Sequence, residues 1–169
     1  MENHTGLSQI FLRPGELAVC AEPCLVTTLL GSCVAVTMYC ARLKIGGICH
    51  ALLPQPGARQ TLSETMAEPY RYVSLAIPAM LKTLGSYRVT VEELEVKLFG
   101  GANVFARPSE AGPSNVIGHS NVACARQLLD SSRLTIKRSH TGGVFGRKLR
   151  FNTATGEVWM KQLQNGRSS

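Results

Sequence analysis

Cys33 follows Gly31-Ser32 directly, where a loop enters the apolar run Val34 to Tyr39, and His50 lies in the next apolar run, Ile45 to Leu53. A thiol beside an imidazole is the working pair of cysteine acyl-transfer chemistry. The imidazole takes the thiol proton, a third group orients the ring, and backbone N–H groups hold the tetrahedral oxyanion. Small residues at Gly31 and Ser32 leave backbone amides reachable for that last task, and Gly100-Gly101 is a second small pair that can shape a pocket or supply donors. Each feature also has a plain structural reading. A cysteine is often a small buried hydrophobe, and paired glycines often mark turns, bulges or close backbone packing. Adjacent strands stand about 5 Å apart, so the pairing of Cys33 with His50 is permitted by geometry, and spacing leaves both readings open.

Other chemistries fit less well. A zinc site wants paired ligands at short spacing, and Cys20 and Cys24 have only the isolated Cys49-His50 to join them, so no metal and no cofactor is expected. The stretch from Gly142 to Lys148 has three residues between Gly142 and Gly146 and lacks a Gly-Lys-Ser/Thr ending, which suits tight turns better than a phosphate loop. His4, His119 and His140 fall at a chain end, a helix start and a strand end, and receive no role. Trp159, Tyr70 and Tyr72 are not interleaved with basic residues, which argues against a nucleic-acid partner.

The elements that must position Cys33 and His50 are short. Leu17 to Cys20, Leu25 to Leu30, Val34 to Tyr39 and Ile45 to Leu53 read as strands, cut by Glu22-Pro23, Gly31-Ser32 and Gly46-Gly47 and stopped by Pro54. Gln55 to Glu68 reads as a polar loop. Pro69 to Leu84 carries apolar residues at helical spacing, with Pro78 as a defect. Leu94 to Phe99 reads as a buried strand, Ala106 to Ser114 as a loop, and Ile117 to Leu129 as a helix capped by Ser114 or Asn115. The remainder reads as a β-meander of Leu134 to Lys137, Lys148 to Phe151 and Val158 to Leu163, followed by a flexible tail over 164–169. Mixed strands and helices in a chain of 169 residues point to one α+β domain over 1–169, with mixed or antiparallel sheet.

Composition bounds the setting. With 44% hydrophobic and 17% charged residues the chain is too apolar for disorder and too interrupted for a membrane span. Met1 to Gly15 holds no apolar run of signal-peptide length, so a cytoplasmic protein without membrane insertion is expected, with its six cysteines reduced. The net charge of +7 is unevenly placed: residues 126–169 hold nine Lys/Arg against only Asp130 and Glu157. Such a patch attracts acidic partners, or simply solvates a face.

Five ordered segments then resemble the CheD family of chemoreceptor glutamine deamidases. They are Thr27 to Val36, Gly46 to Pro54, Lys97 to Asn103, Ile117-Gly118 with Asn121, and Gly142-Gly143 with Gly146-Arg147-Lys148, Phe151 and Thr155-Gly156. The resemblance covers nearly the whole chain. It implies Cys33 as nucleophile, His50 as general base and acid, and Thr27 as the residue orienting the imidazole, with Gly31, Ser32, Gly100 and Gly101 as candidates for substrate or oxyanion contacts. It implies a four-layer α/β/β/α fold similar to bacterial toxin deamidases. The implied reaction is hydrolysis of glutamine side chains of methyl-accepting chemotaxis receptors to glutamate through a thioester, in chemotaxis adaptation. The double role of His50 favours an imidazole pKa near working pH. The implied partners are the helical cytoplasmic region of the receptor, whose acidic surface would suit Arg147, Lys148 and Arg150, and a CheC-type phosphatase.

Two positions depart from the family pattern. His119-Ser120 replaces a more charged pair before Asn121, and Cys49 adjoins His50 where another small residue is more usual, which raises a silencing Cys33–Cys49 disulfide. The alternative function is a non-catalytic basic adaptor that binds receptor or phosphatase, and a nucleic-acid-binding module comes third.

Overall fold

Nine strands and a few helices build this molecule, described from a computed structural model over residues 6–107, 109 and 116–164. His4, Ser114, Asn115, most of the loop Ala106 to Ser114 and the expected tail beyond Gln164 lie outside those residues. Among the described residues, strands β1 (Ser8–Phe11), β3 (Cys24–Leu30), β8 (Arg147–Asn152) and β9 (Val158–Gln162) form one sheet in the order β1-β3-β8-β9. A second sheet runs β2-β5-β4-β6-β7, from β2 (Leu17–Cys20), β4 (Val34–Cys40), β5 (Ile45–Ala51), β6 (Leu94–Gly100) and β7 (Ile136–Thr141). Both sheets are mixed: β1 runs parallel to β3 and β7 parallel to β6, and the other pairings are antiparallel. The architecture is α+β.

The two sheets pack face to face over Leu12, Val26, Leu30, Ala35, Ile48, Phe99, Leu149 and Phe151. The other face of the second sheet is covered by α2 (Val73–Ser86) and α3 (Ile117–Ser131), which bury Ile77, Met80, Leu84, Ala125 and Leu129 against Val36, Met38, Cys49 and Leu98. Every residue of β5 is buried, because helices lie on one side of it and the first sheet on the other.

Several expectations are corrected. The outer face of the first sheet carries no helix among the described residues, so they form three layers rather than four. β8 puts exposed Lys148 and Arg150 on that face and buried Leu149 and Phe151 on the other, and a charged face needs no apolar cover. The C-terminal meander is split, since β7 joins β6 in the second sheet while β8 and β9 extend the first. The loop Gln55 to Glu68 contains a short helix, α1 (Leu62–Ala67), started by a capping box in which Thr61 and Glu64 satisfy each other's backbone N–H groups. β1, at Ser8–Phe11, is a strand in addition to those read from the sequence. Pro78 sits inside α2, which runs from Val73 through Ser86.

Candidate active site

Gly31, Ser32 and Cys33 form the turn between β3 and β4, so Cys33 stands at the mouth of the space between the sheets. Across the β4–β5 ladder Ala35 pairs with His50 and Val34 with Ala51. Cys33 immediately precedes β4 and, like Ala35, lies on the inter-sheet side, from which the His50 ring reaches Thr28. Cys33 is half-buried against the inter-sheet core. His50 is 1% exposed, and its main chain is fixed on the β2 side by N–H donation to Glu16 O at 3.0 Å and acceptance from Gly15 N–H at 2.7 Å.

The ring of His50 reaches across to the first sheet, where its Nδ1 lies 2.8 Å from Thr28 Oγ1. That hydroxyl donates its single proton to Leu12 O at 2.7 Å, so it accepts from Nδ1–H, and the tautomer is set. Nε2 carries the free lone pair and has no hydrogen-bond partner among the described residues. Burial pulls the imidazole down to about 4, against smaller opposing pulls from the Leu12 carbonyl and the Glu16 charge. Burial also raises the Cys33 thiol, and its own backbone N–H partly offsets that rise. Both partners are therefore neutral at rest. The imidazole pKa expected near working pH is corrected downward by the dry space around it.

Thr28, and not Thr27, meets the imidazole. Thr28 is fully buried beside Val26 and Leu30 on the inward face of β3, whereas Thr27 faces outward between Phe11 and Arg150 in the ladder. A shift of one residue along a strand moves a side chain to the opposite face.

The glycines act by close approach. Gly101 N–H donates to Cys33 O at 2.8 Å, so this amide is spent on the turn and is not an oxyanion donor. A Cβ on Gly100 would stand 2.2 Å from Cys33 O, and one on Gly101 would stand 2.4 Å from Val122 Cγ2. Both also hold positive φ, +108° and +69°. Gly31 and Ser32 present their carbonyls to Ala102 N–H at 2.9 Å and to Asn121 Nδ2 at 3.0 Å. Among the described residues the Cys33 N–H donates to no backbone carbonyl.

Two further expectations change. Cys49 points into the helix-side core, on the opposite face of β5 from His50, so the sheet itself separates it from Cys33 and the disulfide cannot form without refolding β5. Arg147 is not a surface cation: it is 2% exposed, and its guanidinium donates to His140 Nδ1 at 2.7 Å, Gly142 O at 2.7 Å and Phe145 O at 3.3 Å. Thr28, Leu12 and the amide of Asn121 are the site residues that sequence reasoning did not assign. The Thr27-Thr28 pair held the signal for the first, given the phase of the strand.

The family model described as "CheD chemotactic sensory transduction" matches residues 52–162. The chain belongs to the CheD family. A protein of Geobacter sulfurreducens named "Probable chemoreceptor glutamine deamidase CheD 2" is 42% identical over 161 residues, 95% of this chain and 93% of its own length. A Maridesulfovibrio salexigens protein named "Probable chemoreceptor glutamine deamidase CheD" is 38% identical over 165 residues, 96% of each chain. Another so named, from Oleidesulfovibrio alaskensis, is 40% identical over 165 residues, 95% of this chain and 75% of its own. The CheD match takes in Gly100, Gly101 and Asn121, while Cys33 and His50 precede it; the near-full coverage of these relatives extends CheD similarity over residues before 52 as well. No helix among the described residues is long and apolar enough to cross a membrane.

Proposed function

We propose that this CheD-family chain is a chemoreceptor glutamine deamidase that converts receptor glutamine side chains to glutamate through a thioester on Cys33. The observation that carries this reading is the buried His50 ring, whose Nδ1–H is held by Thr28 and whose Nε2 is left without a partner among the described residues, on the strand paired with the one that Cys33 leads into. Nε2 takes the thiol proton as Sγ attacks the amide carbon, and the Cys33 N–H receives the oxyanion. The imidazolium returns the proton to the amide nitrogen, and ammonia leaves. Water then gives a proton to Nε2 and attacks the thioester, and protonation of the departing sulfur restores the thiol and releases glutamate. Thr28 keeps the ring in one orientation throughout. Being neutral, it stabilises the imidazolium less than a carboxylate would, which matches a base that is low in pKa and dry.

The exposed Lys148 and Arg150 on the outer sheet face offer a cationic surface to the receptor or to a CheC-type phosphatase. The test is mass spectrometry of a receptor cytoplasmic fragment after incubation with wild type and with Cys33→Ala. Glutamine-to-glutamate conversion by wild type alone is expected. Binding without conversion by either protein would favour the adaptor reading, and equal conversion by both would remove Cys33 from the chemistry.

A further inference from the structure

Three successive carbonyls of the nucleophile turn are held from the same side of the molecule. Gly31 O accepts from Ala102 N–H, Cys33 O from Gly101 N–H, and the middle one, Ser32 O, from the side-chain amide of Asn121 on α3. The second proton of that amide goes to Leu52 O at 2.8 Å, just beyond the end of β5, so a single side chain ties the turn bearing Cys33 to the strand bearing His50. Asn121 is fully buried, and its Oδ1 finds no partner among the described residues, so what this side chain contributes here is donation alone. Gly118 lets α3 come this close: a Cβ there would stand 2.5 Å from Gly101 O.

A trans peptide is planar, with its C=O and N–H pointing in opposite directions. Whatever holds the Ser32 carbonyl therefore also aims the N–H of Cys33, which belongs to the same peptide plane. We infer that Asn121 is the positioning residue of the oxyanion hole: by holding Ser32 O it directs the Cys33 N–H at the oxygen of the glutamine amide under attack. The inference rests on the deamidase reading above and adds to it the part that sets the oxyanion donor. Gly101 and Ala102 hold the neighbouring peptides through main-chain bonds, so Asn121 is the member of this set that a substitution can delete without altering the backbone.

The test uses Asn121→Leu, which stays close to the same shape and removes both donors, and Asn121→Ala, which removes them together with the side chain, each checked for folding by its thermal melt. Two rates are compared in the full chain: deamidation of a receptor cytoplasmic fragment, and alkylation of Cys33 by iodoacetamide followed by peptide mapping. Alkylation displaces iodide at a saturated carbon and forms no oxyanion, so it reports the thiol alone. The expected result is a fall in kcat of about 10- to 100-fold, less than deletion of an oxyanion donor itself causes, with KM unchanged. Alkylation is expected to stay within about threefold of wild type. An unchanged kcat in a folded variant overturns the inference. So does alkylation that falls in step with kcat, because Asn121 would then hold the thiol and not the oxyanion donor. Cys33→Ala run alongside separates the levels: deamidation that survives it defeats the nucleophile assignment, and the inference with it.

Discussion

A threonine hydroxyl carries one proton, and in this site it goes to the Leu12 carbonyl, so Thr28 can only accept from the His50 ring. Thr28→Val keeps the volume and deletes the acceptor, and is expected to lower kcat by about 10- to 100-fold, within the usual worth of a positioned base. Thr27→Val, on the outer face, is expected to leave kcat within about twofold, as surface substitutions do. Steady-state kinetics of the pair decides which threonine orients the ring. The pH dependence has a definite sign: Nε2 must be unprotonated to take the thiol proton, so activity is lost as pH falls through the His50 pKa. With the ring held down at about 4 by burial, the acid limb of kcat/KM is expected near pH 4, and a limb at the ordinary imidazole value of 6.5 would contradict the dry site. Cys33 and His50 are legible in the sequence because a thiol in a Gly-Ser turn and an imidazole on the adjacent strand need only neighbour pairing to meet. Thr27 and Thr28 are not separable there: they are the same residue type, and only the packing of one sheet on the other decides which faces inward.

At the scale of elements, the turn holding Cys33 is a contact point of β4, β6 and α3. Gly100→Ala would place a methyl 2.2 Å from Cys33 O at a φ of +108°, whereas Gly142→Ala, at +74°, meets nothing within 4 Å. Denaturant unfolding should therefore show a loss of about 1–2 kcal/mol for Gly142→Ala from φ alone, and about 3 kcal/mol or more for Gly100→Ala, where overpacking adds to backbone strain. Equal losses would mean that the turn and β6 are not in close contact. Strands with a buried, β-branched pattern were readable from sequence, β3 to β6 above all. β1 was not, since Ser8–Phe11 has exposed or half-exposed residues throughout and joins β3 by parallel pairing that leaves no hairpin signal. β7 joins β6 rather than the C-terminal strands for a similar reason: its six residues include no fully buried one, and nothing in them says which sheet they extend. α1 opens on the Thr61–Glu64 capping box, but its six residues are too few for periodicity, so the segment reads as loop from sequence.

At the scale of the molecule, the helices all but seal one side of the second sheet, and the first sheet turns a cationic face outward. On that face Arg150 pairs with Thr27 and Trp159, and Lys148 pairs with Leu29 and Lys161, so basic and apolar residues alternate toward the end of β3 that leads into the Cys33 turn. The double reversal Lys148→Glu with Arg150→Glu is expected to weaken receptor binding at low ionic strength and to match wild type at high salt, as screened surface charges do. Binding unchanged at low salt would place the receptor elsewhere. The charge excess was visible in the sequence, but its face was not, because Arg147 in the same run turns inward to His140. The central claim is that Cys33 forms a thioester with the receptor glutamine, and the most direct measurement is acid quenching of a deamidation reaction followed by peptide mapping of the enzyme. The receptor fragment is predicted to be found joined to the Cys33 peptide, with no adduct and no conversion in Cys33→Ala; conversion by Cys33→Ala, or an adduct on another residue, would contradict the account.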